Sequence, residues 1–227
     1  MGSMTLCGVL LCVILWACVE GDKDDKLFML EISLPPLLGR NEASDISAIK
    51  QLLSNTQGVN VTFALKKSEL GYPVIIAVVE VENDCTWASV TSVLASRGDK
   101  YSAIPLYHCE DFARAMNVTL NSQTKEFDNV TIFLADLVFY AKGYTTAEYT
   151  NILKSHLETT NTVTQDGTMM HCYRDMGYVP IRMFHFTEAN PSENERLQET
   201  FKVSERFHLD IRAYQHLYLY PNACPTA

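Results

Sequence analysis

The chain has 227 residues and a formal net charge of −9, with 27 acidic side chains against 18 basic ones. An acidic chain argues against nucleic acid and anionic membrane surfaces as partners, because both attract basic patches. The length suits one large domain or two small ones.

An unbroken apolar run from Thr5 to Cys18 opens the chain, and a charged stretch at 22–26 follows it. This layout is typical of a secretory signal peptide, because a membrane span needs about 20 apolar residues. We expect residues 1–21 to be removed, which leaves a secreted, extracellular protein without a membrane span. A lipoprotein anchor at Cys18 and an uncleaved signal anchor are the alternatives.

Four cysteines remain after the signal segment: Cys85, Cys109, Cys172 and Cys224. An even number in an oxidising compartment indicates two disulfides, for which three connectivities exist. Buried free thiols are the alternative. The spacing matches no zinc pattern, so we expect no metal site.

Asn60, Asn117 and Asn129 each begin an Asn-Val-Thr triplet. In a secreted chain such triplets are acceptors for N-glycosylation. We therefore expect a glycoprotein.

The sequence contains an internal repeat. Gly-Tyr-Pro-Val-Ile-Ile at 71–76 resembles Gly-Tyr-Val-Pro-Ile-Arg at 177–182, which lies 106 residues later. The strand-like segments 27–34 and 132–139 each carry an acid near the middle, at a similar offset. A nearly constant offset across separate segments indicates a duplication.

The first copy, residues 22–112, is predicted to run strand, helix, strand, strand, helix, strand. The strands are rich in Val, Ile and Phe, and the helices show apolar residues at helical spacing. The predicted strands are 27–34, 59–66, 73–82 and 101–109, with helices through Ile46 to Leu53 and from Thr86 to Ser96, the second capped by Asp84.

The second copy, residues 129–227, repeats this order after a polar linker at 113–128. Thr145 and Glu148 form a capping box at the start of its first helix. The other predicted elements are strands near 130, 168–174, 179–187 and 209–220, and a second helix that begins at Pro191 and carries Leu197 and Phe201.

The order βαββαβ is the ferredoxin-like unit. Two such units in tandem resemble the dimeric α+β barrel superfamily, which includes muconolactone isomerases and antibiotic-biosynthesis monooxygenases. The resemblance rests on element order over nearly the whole mature chain. It implies an α+β fold of two ferredoxin-like repeats packed sheet to sheet as a pseudo-dimeric barrel, because helices cover only one face of each sheet.

The resemblance also implies a disulfide pairing. In that superfamily the end of the fourth strand of one unit lies beside the second strand of the other. Carried onto this chain, this places Cys109 near Cys172 and, by pseudo-symmetry, Cys85 near Cys224. The rival is a local Cys85–Cys109 loop, which leaves Cys172 to pair with Cys224.

No strong catalytic motif is present. Strand alternation turns Glu31 and Asp136 away from their apolar neighbours and toward the space between the sheets. His108 and His216 lie on the last strands of the two copies. Facing one cavity, these four would suit general acid–base chemistry. The alternative, which we favour, is a hydrogen-bonded or solvated face.

A second set of polar residues lies on the inner strands of the second copy: His171, Arg174, Arg182 and His185. The corresponding strands of the first copy are almost entirely apolar. The arginines predict a site for an anionic ligand, and the alternative is a solvated strand face.

We interpret the chain as a secreted, non-catalytic glycoprotein, an extracellular binding or matrix component without a cofactor, whose partner is an extracellular protein or a small molecule. One alternative is a carrier of a small apolar or anionic ligand in the inter-sheet cavity. Another is a barrel-type isomerase or monooxygenase.

Overall fold

The computed structural model describes residues 26–34, 41–67, 73–121, 126–128, 131–201 and 207–218. Within these ranges no helix is long and apolar enough to cross a membrane. The described elements follow the predicted order in both copies.

The first copy contains β1 (Lys26–Ser33), α1 (Glu42–Asn55), β2 (Val59–Lys67), β3 (Val74–Val81), α2 (Asp84–Ser96) and β4 (Lys100–His108). A short helix, α3 (Cys109–Ala115), follows β4 directly. The second copy contains β5 (Thr131–Phe139), α4 (Thr146–Gln165), β6 (Met170–Asp175), β7 (Ile181–Glu188), α5 (Pro191–Phe201) and β8 (Phe207–His216).

The eight strands close into one barrel in the order β1-β3-β2-β8-β5-β7-β6-β4. Each copy contributes four adjacent strands, and two antiparallel joints connect the copies. One joint pairs β2 with β8 from Leu65 opposite His216, and the other pairs β4 with β6 from Leu106 opposite Asp175. This arrangement confirms the predicted fold class.

Strand alternation divides the core into layers. On β1, Leu30 and Ile32 face outward and pack with residues of α1 and α2, whereas Met29 faces into the barrel. The barrel interior is filled with apolar and aromatic side chains from both copies, among them Phe63 and Phe186. Helices therefore cover the outside of each sheet while the two inner faces bury one another, as the duplication predicts.

The helix starts follow the sequence closely. The Thr145–Glu148 capping box is present at the start of α4, which confirms that prediction. At α2, however, the cap is Asn83, whose side chain accepts a hydrogen bond from the Thr86 amide at 2.9 Å. The predicted cap, Asp84, is the first helical residue instead. The two side chains are near-equivalent as caps, so the sequence did not separate them.

The predicted polar linker at 113–128 contains structure. Residues 109–115 form α3, and Phe112, Ala113 and Leu120 are buried against the second sheet and α4. Two helical turns are too short to produce a recognisable apolar period, so the pattern did not indicate this helix.

The Cys109–Cys172 disulfide ties α3 to β6 across the two copies, with the Cα atoms 5.4 Å apart. This is the inter-repeat pair that the resemblance implies, and it rules out the local Cys85–Cys109 loop. Cys85 is also disulfide-bonded. The predicted partner of Cys85, Cys224, lies outside the described residues.

Candidate functional site

A cavity of about 650 Å³ opens where β4 and β6 meet at one end of the barrel. We call it the mouth cavity. Both copies contribute to it. Its lining residues are Asn60, Val61, Thr62, Glu80, His108, Glu110, Asp111, Arg114, Leu120, Asn121, Glu126, His171, Cys172 and Tyr173.

The turn from β4 into α3 supplies one wall. His108 is the last residue of β4 and is exposed, and Glu110 lies in the first turn of α3. The neighbouring Cys109 is joined to Cys172 on β6, the strand that pairs with β4. The disulfide therefore holds the start of α3 against β6.

Tyr173 forms the floor of the mouth cavity and is 1% exposed. Burial raises the pKa of its phenol, and the charges of Glu110 and Glu80 raise that pKa further, whereas a hydrogen bond with the Thr62 side chain lowers it. The Tyr173 ring centroid lies 5.4 Å from that of His108. At pH 7 the site therefore combines a protonated phenol with a neighbouring imidazole.

The lining is acidic. Asp111 forms an ion pair with Arg114 at 2.6 Å, and Glu80 accepts a hydrogen bond from the Asn60 amide at 2.8 Å. Glu110 and Glu126 add further carboxylates, against the single guanidinium of Arg114. Such a lining favours neutral or cationic ligands over anionic ones.

A second cavity of about 590 Å³, the side cavity, lies next to the mouth cavity. Its lining residues are Leu53, Ser54, Val59, Asn60, Val61, Thr62, Phe63, Glu126, Phe127, Asp128, His216 and Tyr218. Burial lowers the pKa of His216, whereas the charges of Glu126 and Glu188 oppose that shift.

The four acid–base candidates do not converge. Asp136 faces the barrel interior but accepts hydrogen bonds from Arg182 at 2.8 Å and 2.6 Å. Glu31 faces inward too, near Tyr214, whose pKa is raised by burial first and by the charge of Glu31 to a smaller extent. His108 lines the mouth cavity and His216 lines the side cavity. The two histidines therefore line different cavities, and neither Glu31 nor Asp136 lines the cavity of either one.

The second predicted set is also divided, because alternate residues of a strand face opposite ways. His171 packs inside the barrel beside Phe63, and Arg182 is inward too, bound to Asp136. Arg174 faces the helices instead, with its guanidinium 4.6 Å from the centre of the Phe112 ring. The structure therefore does not bring the two arginines together as an anion site.

His185, the fourth member of that set, faces the helices and pairs with a histidine that the sequence analysis missed. The Nε2 atoms of His185 and His156 lie 3.3 Å apart, and both rings are buried. His156 interrupts the apolar stripe of α4 between Leu153 and Leu157. A histidine on the buried face of an amphipathic helix is a signal that could have identified it.

The residues that complete the mouth cavity were also missed. Glu80, Glu110 and Tyr173 are far apart in the sequence and belong to no motif. Among the described residues no group of three or more His, Cys, Asp or Glu side chains is arranged to hold a metal ion.

Two of the three predicted glycosylation acceptors lie in the described residues. The Asn60 side chain, on β2, donates to Glu80 at 2.8 Å. Asn117 follows α3 with a φ of 56°, a conformation that asparagine tolerates better than most residues. Asn129 lies outside the described residues.

Comparison with solved structures places this fold among known proteins. A putative chlorite dismutase matches with a TM-score of 0.58 and 14% identity over 84% of this chain and 95% of its own. A putative monooxygenase from Fusobacterium nucleatum subsp. nucleatum matches with a TM-score of 0.55 and 15% identity, over 85% and 92% of the two chains. Chlorite dismutase from Candidatus Nitrospira defluvii, in complex with imidazole, matches with a TM-score of 0.54 and 10% identity, over 85% and 92%.

No family model and no curated protein sequence matches this chain. The structural neighbours belong to the dimeric α+β barrel superfamily, so the fold is of that type.

The neighbours named above overturn the interpretation of the chain as a non-catalytic secreted glycoprotein of the matrix. They bear enzyme names, and nothing in the comparisons supports a signal segment, glycosylation or a matrix role. The alternative of a barrel-type enzyme fits them better.

Proposed function

We propose that the chain is an acid–base enzyme of the barrel type, related in chemistry to the barrel isomerases and monooxygenases, that removes a proton from a small organic substrate in the mouth cavity. The observation that carries this proposal is the placement of His108, Glu110 and Tyr173 around one cavity of about 650 Å³. That volume lies in the range of small-molecule sites, about 300 to 1,000 Å³.

His108 is the proposed proton acceptor, because it is exposed to the cavity and imidazole is the commonest general base in enzymes. Glu110 is the carboxylate next to it in the chain. Tyr173 stays protonated because its pKa is raised, so it can donate a hydrogen bond to the oxygen that gains charge when the substrate loses its proton. The acidic lining favours a substrate that is neutral or carries an ammonium group.

Proton removal is the step that an isomerase and a cofactor-independent monooxygenase share. In an isomerase the proton returns to a different carbon. In a monooxygenase acting on a phenol, dioxygen oxidises the phenolate. One oxygen atom replaces the ring hydrogen ortho to the phenol oxygen and becomes the second oxygen of an o-quinone, and the other leaves as water with that hydrogen and the phenol proton. The neighbour named as a putative monooxygenase favours the second reaction.

Haem, which a fold shared with chlorite dismutases implies, does not fit the described residues. The cavity between the second sheet and α5 measures about 30 Å³, which is room for one water molecule. His156 and His185 beside it bond to each other. The mouth cavity is larger, but its carboxylates would repel the propionates of a haem. No step of the proposed function involves haem.

Two assays test the proposal. Oxygen uptake is measured with tyramine and 4-ethylphenol, and solvent deuterium incorporation is measured with 4-phenyl-2-butanone in D₂O. We expect the wild-type protein to accelerate one of these reactions and Tyr173→Phe to lose about 10² to 10³ in rate, the usual effect of removing one oxyanion donor. Wild-type rates equal to those of buffer in both assays would contradict the proposal.

A further inference from the structure

The mouth cavity and the side cavity share a wall. Asn60, Val61, Thr62 and Glu126 line both of them. Each cavity alone is large enough for a small ligand, with about 650 Å³ in one and 590 Å³ in the other. The side chains that separate the two cavities therefore determine whether a substrate occupies the mouth cavity alone or extends into the side cavity as well.

The ring of Phe127 borders the side cavity and reaches the mouth cavity through His171. Phe127 is 4% exposed and packs inside the barrel with its ring centroid 5.1 Å from that of Phe63 and 4.9 Å from that of His171. His171 lines the mouth cavity, whereas Phe127 lines the side cavity. The Phe127 ring, with His171 behind it, therefore separates the side cavity from the inner end of the mouth cavity.

The residues next to Phe127 hold it in this position. Glu126 and Asp128 are both exposed, so only the phenyl ring enters the barrel. The Asp128 amide donates a hydrogen bond of 2.8 Å to the Glu188 carboxylate at the end of β7. The backbone is thus fixed to the second copy while the ring contacts Phe63 of the first.

We propose that Phe127 determines substrate size by closing the mouth cavity off from the side cavity. This inference rests on the proposed function, because it assigns a specificity residue to the same site. With the ring present, a substrate is confined to the mouth cavity. Without it, the passage opens and the apolar end of a longer substrate reaches the side cavity.

The test is a binding series with three amines of increasing apolar length: 2-phenylethylamine, 2-(2-naphthyl)ethylamine and 2-(4-biphenyl)ethylamine. Calorimetry gives the Kd of each for the full chain and for Phe127→Ala, Phe127→Leu and Phe112→Ala. Phe112 is the matched control, because it is buried to 8% exposure on α3 and lines neither cavity. Its truncation reports the general effect of losing a buried phenyl ring.

We expect the wild-type protein and Phe112→Ala to prefer the one-ring amine over the biphenyl amine by about ten-fold or more. In Phe127→Ala the biphenyl amine should bind about ten-fold tighter than it does to wild type, since an added buried ring contributes more than 1.4 kcal/mol of binding free energy. Phe127→Leu, which preserves more of the packing, should show the same change to a smaller extent.

An unchanged size preference in both Phe127 variants overturns the inference, and so does an equal change in Phe112→Ala. Turnover assays on the same proteins separate this result from the proposed function. If the Phe127 variants change the size preference but the wild-type protein shows no turnover, the role of Phe127 is supported and the proposed enzyme function is contradicted. If the wild-type protein shows turnover but the size preference does not change, only the role of Phe127 is contradicted.

Discussion

The Nε2 atoms of His156 and His185 lie 3.3 Å apart between α4 and β7, with Phe201 and Phe207 packed around them. Burial lowers the pKa of both rings, that of His185 to about 4, and the charge of His185 lowers the pKa of His156 further. The pair is therefore neutral at pH 7 and shares one hydrogen bond.

This pair predicts a loss of stability in mild acid. The folded-state pKa values lie below the unfolded value of about 6.5, so the unfolded chain binds more protons between pH 6.5 and pH 4. Stability is therefore fully present above pH 6.5 and falls as the pH drops. Urea unfolding at pH 7 and pH 5 should show a loss of about 2 kcal/mol from His185 and a further loss in the same direction from His156.

The double variant His156→Leu/His185→Leu provides the comparison, and His208→Gln on the exposed face of β8 is the control. The double variant should lose much less stability than wild type between the two pH values, while His208→Gln should behave as wild type. Parallel pH dependence in all three proteins would show that the buried pair is not the cause.

The disulfide between Cys109 and Cys172 should contribute to both stability and binding. It joins residues 63 positions apart, for which the chain-entropy model gives about 4 kcal/mol. Cys109→Ala/Cys172→Ala should unfold at a correspondingly lower urea concentration. Because Cys172 lines the mouth cavity, the variant should also bind 2-phenylethylamine more weakly. Unchanged binding would show that the cavity walls keep their positions without the disulfide.

Asp136, one of the four acid–base candidates from the sequence, should prove structural, in line with the hydrogen-bonded alternative that the sequence analysis favours. It forms a two-contact ion pair with Arg182, and both side chains are mostly buried. Asp136→Asn should lose about 1 to 3 kcal/mol of unfolding free energy, because the guanidinium keeps its burial and loses the closer of its two charged partners, Asp175 remaining at 3.6 Å. Turnover at pH 7 should stay at the wild-type level. A loss of turnover larger than the loss of folded protein would restore Asp136 as a functional residue.

Gly58 occupies the turn between α1 and β2 with a φ of 79°, and a Cβ there would approach Glu82 Oε2 to 2.8 Å and Thr86 Oγ1 to 2.9 Å. Gly58→Ala should therefore cost more than backbone strain alone. Gly98→Ala is the matched control, since Gly98 has a φ of 70° and nothing within 4 Å of the added atom. We expect Gly58→Ala to lose about 1 kcal/mol more than Gly98→Ala. Equal losses of unfolding free energy in the two variants would show that the close contacts at Gly58 do not affect stability.

The fold could be predicted from the sequence because the patterns that determine it are local and occur in both copies. The βαββαβ order and the capping box at Thr145 each depend on residues close together in the chain, and the near-constant offset shows that the same order occurs in the second copy. α3 was not predicted because a helix of two turns is too short to show a repeating pattern of apolar residues. It packs against the second sheet and α4 and is joined to β6 by the disulfide, contacts that no local pattern encodes.

The candidate site could be predicted from the sequence only in part, because its residues come from distant parts of the chain. Strand alternation placed Glu31 and Asp136 on the inner face but could not show that Arg182 binds Asp136. His108 was identified as a candidate, yet its partners Glu110 and Tyr173 come from an unpredicted helix and from the other copy. Convergence across a barrel depends on which residues of distant strands lie opposite one another, and this does not follow from the pattern within any one strand.

The most direct test of the central claim compares two histidine variants in the oxygen-uptake and deuterium-incorporation assays. His108 lines the mouth cavity, whereas His208 is exposed on β8 and lines neither cavity. We predict that His108→Gln lowers the catalysed rate by about 10² to 10⁴ without changing the urea midpoint, while His208→Gln keeps the wild-type rate. Equal rates in the two variants would contradict acid–base catalysis at the mouth cavity.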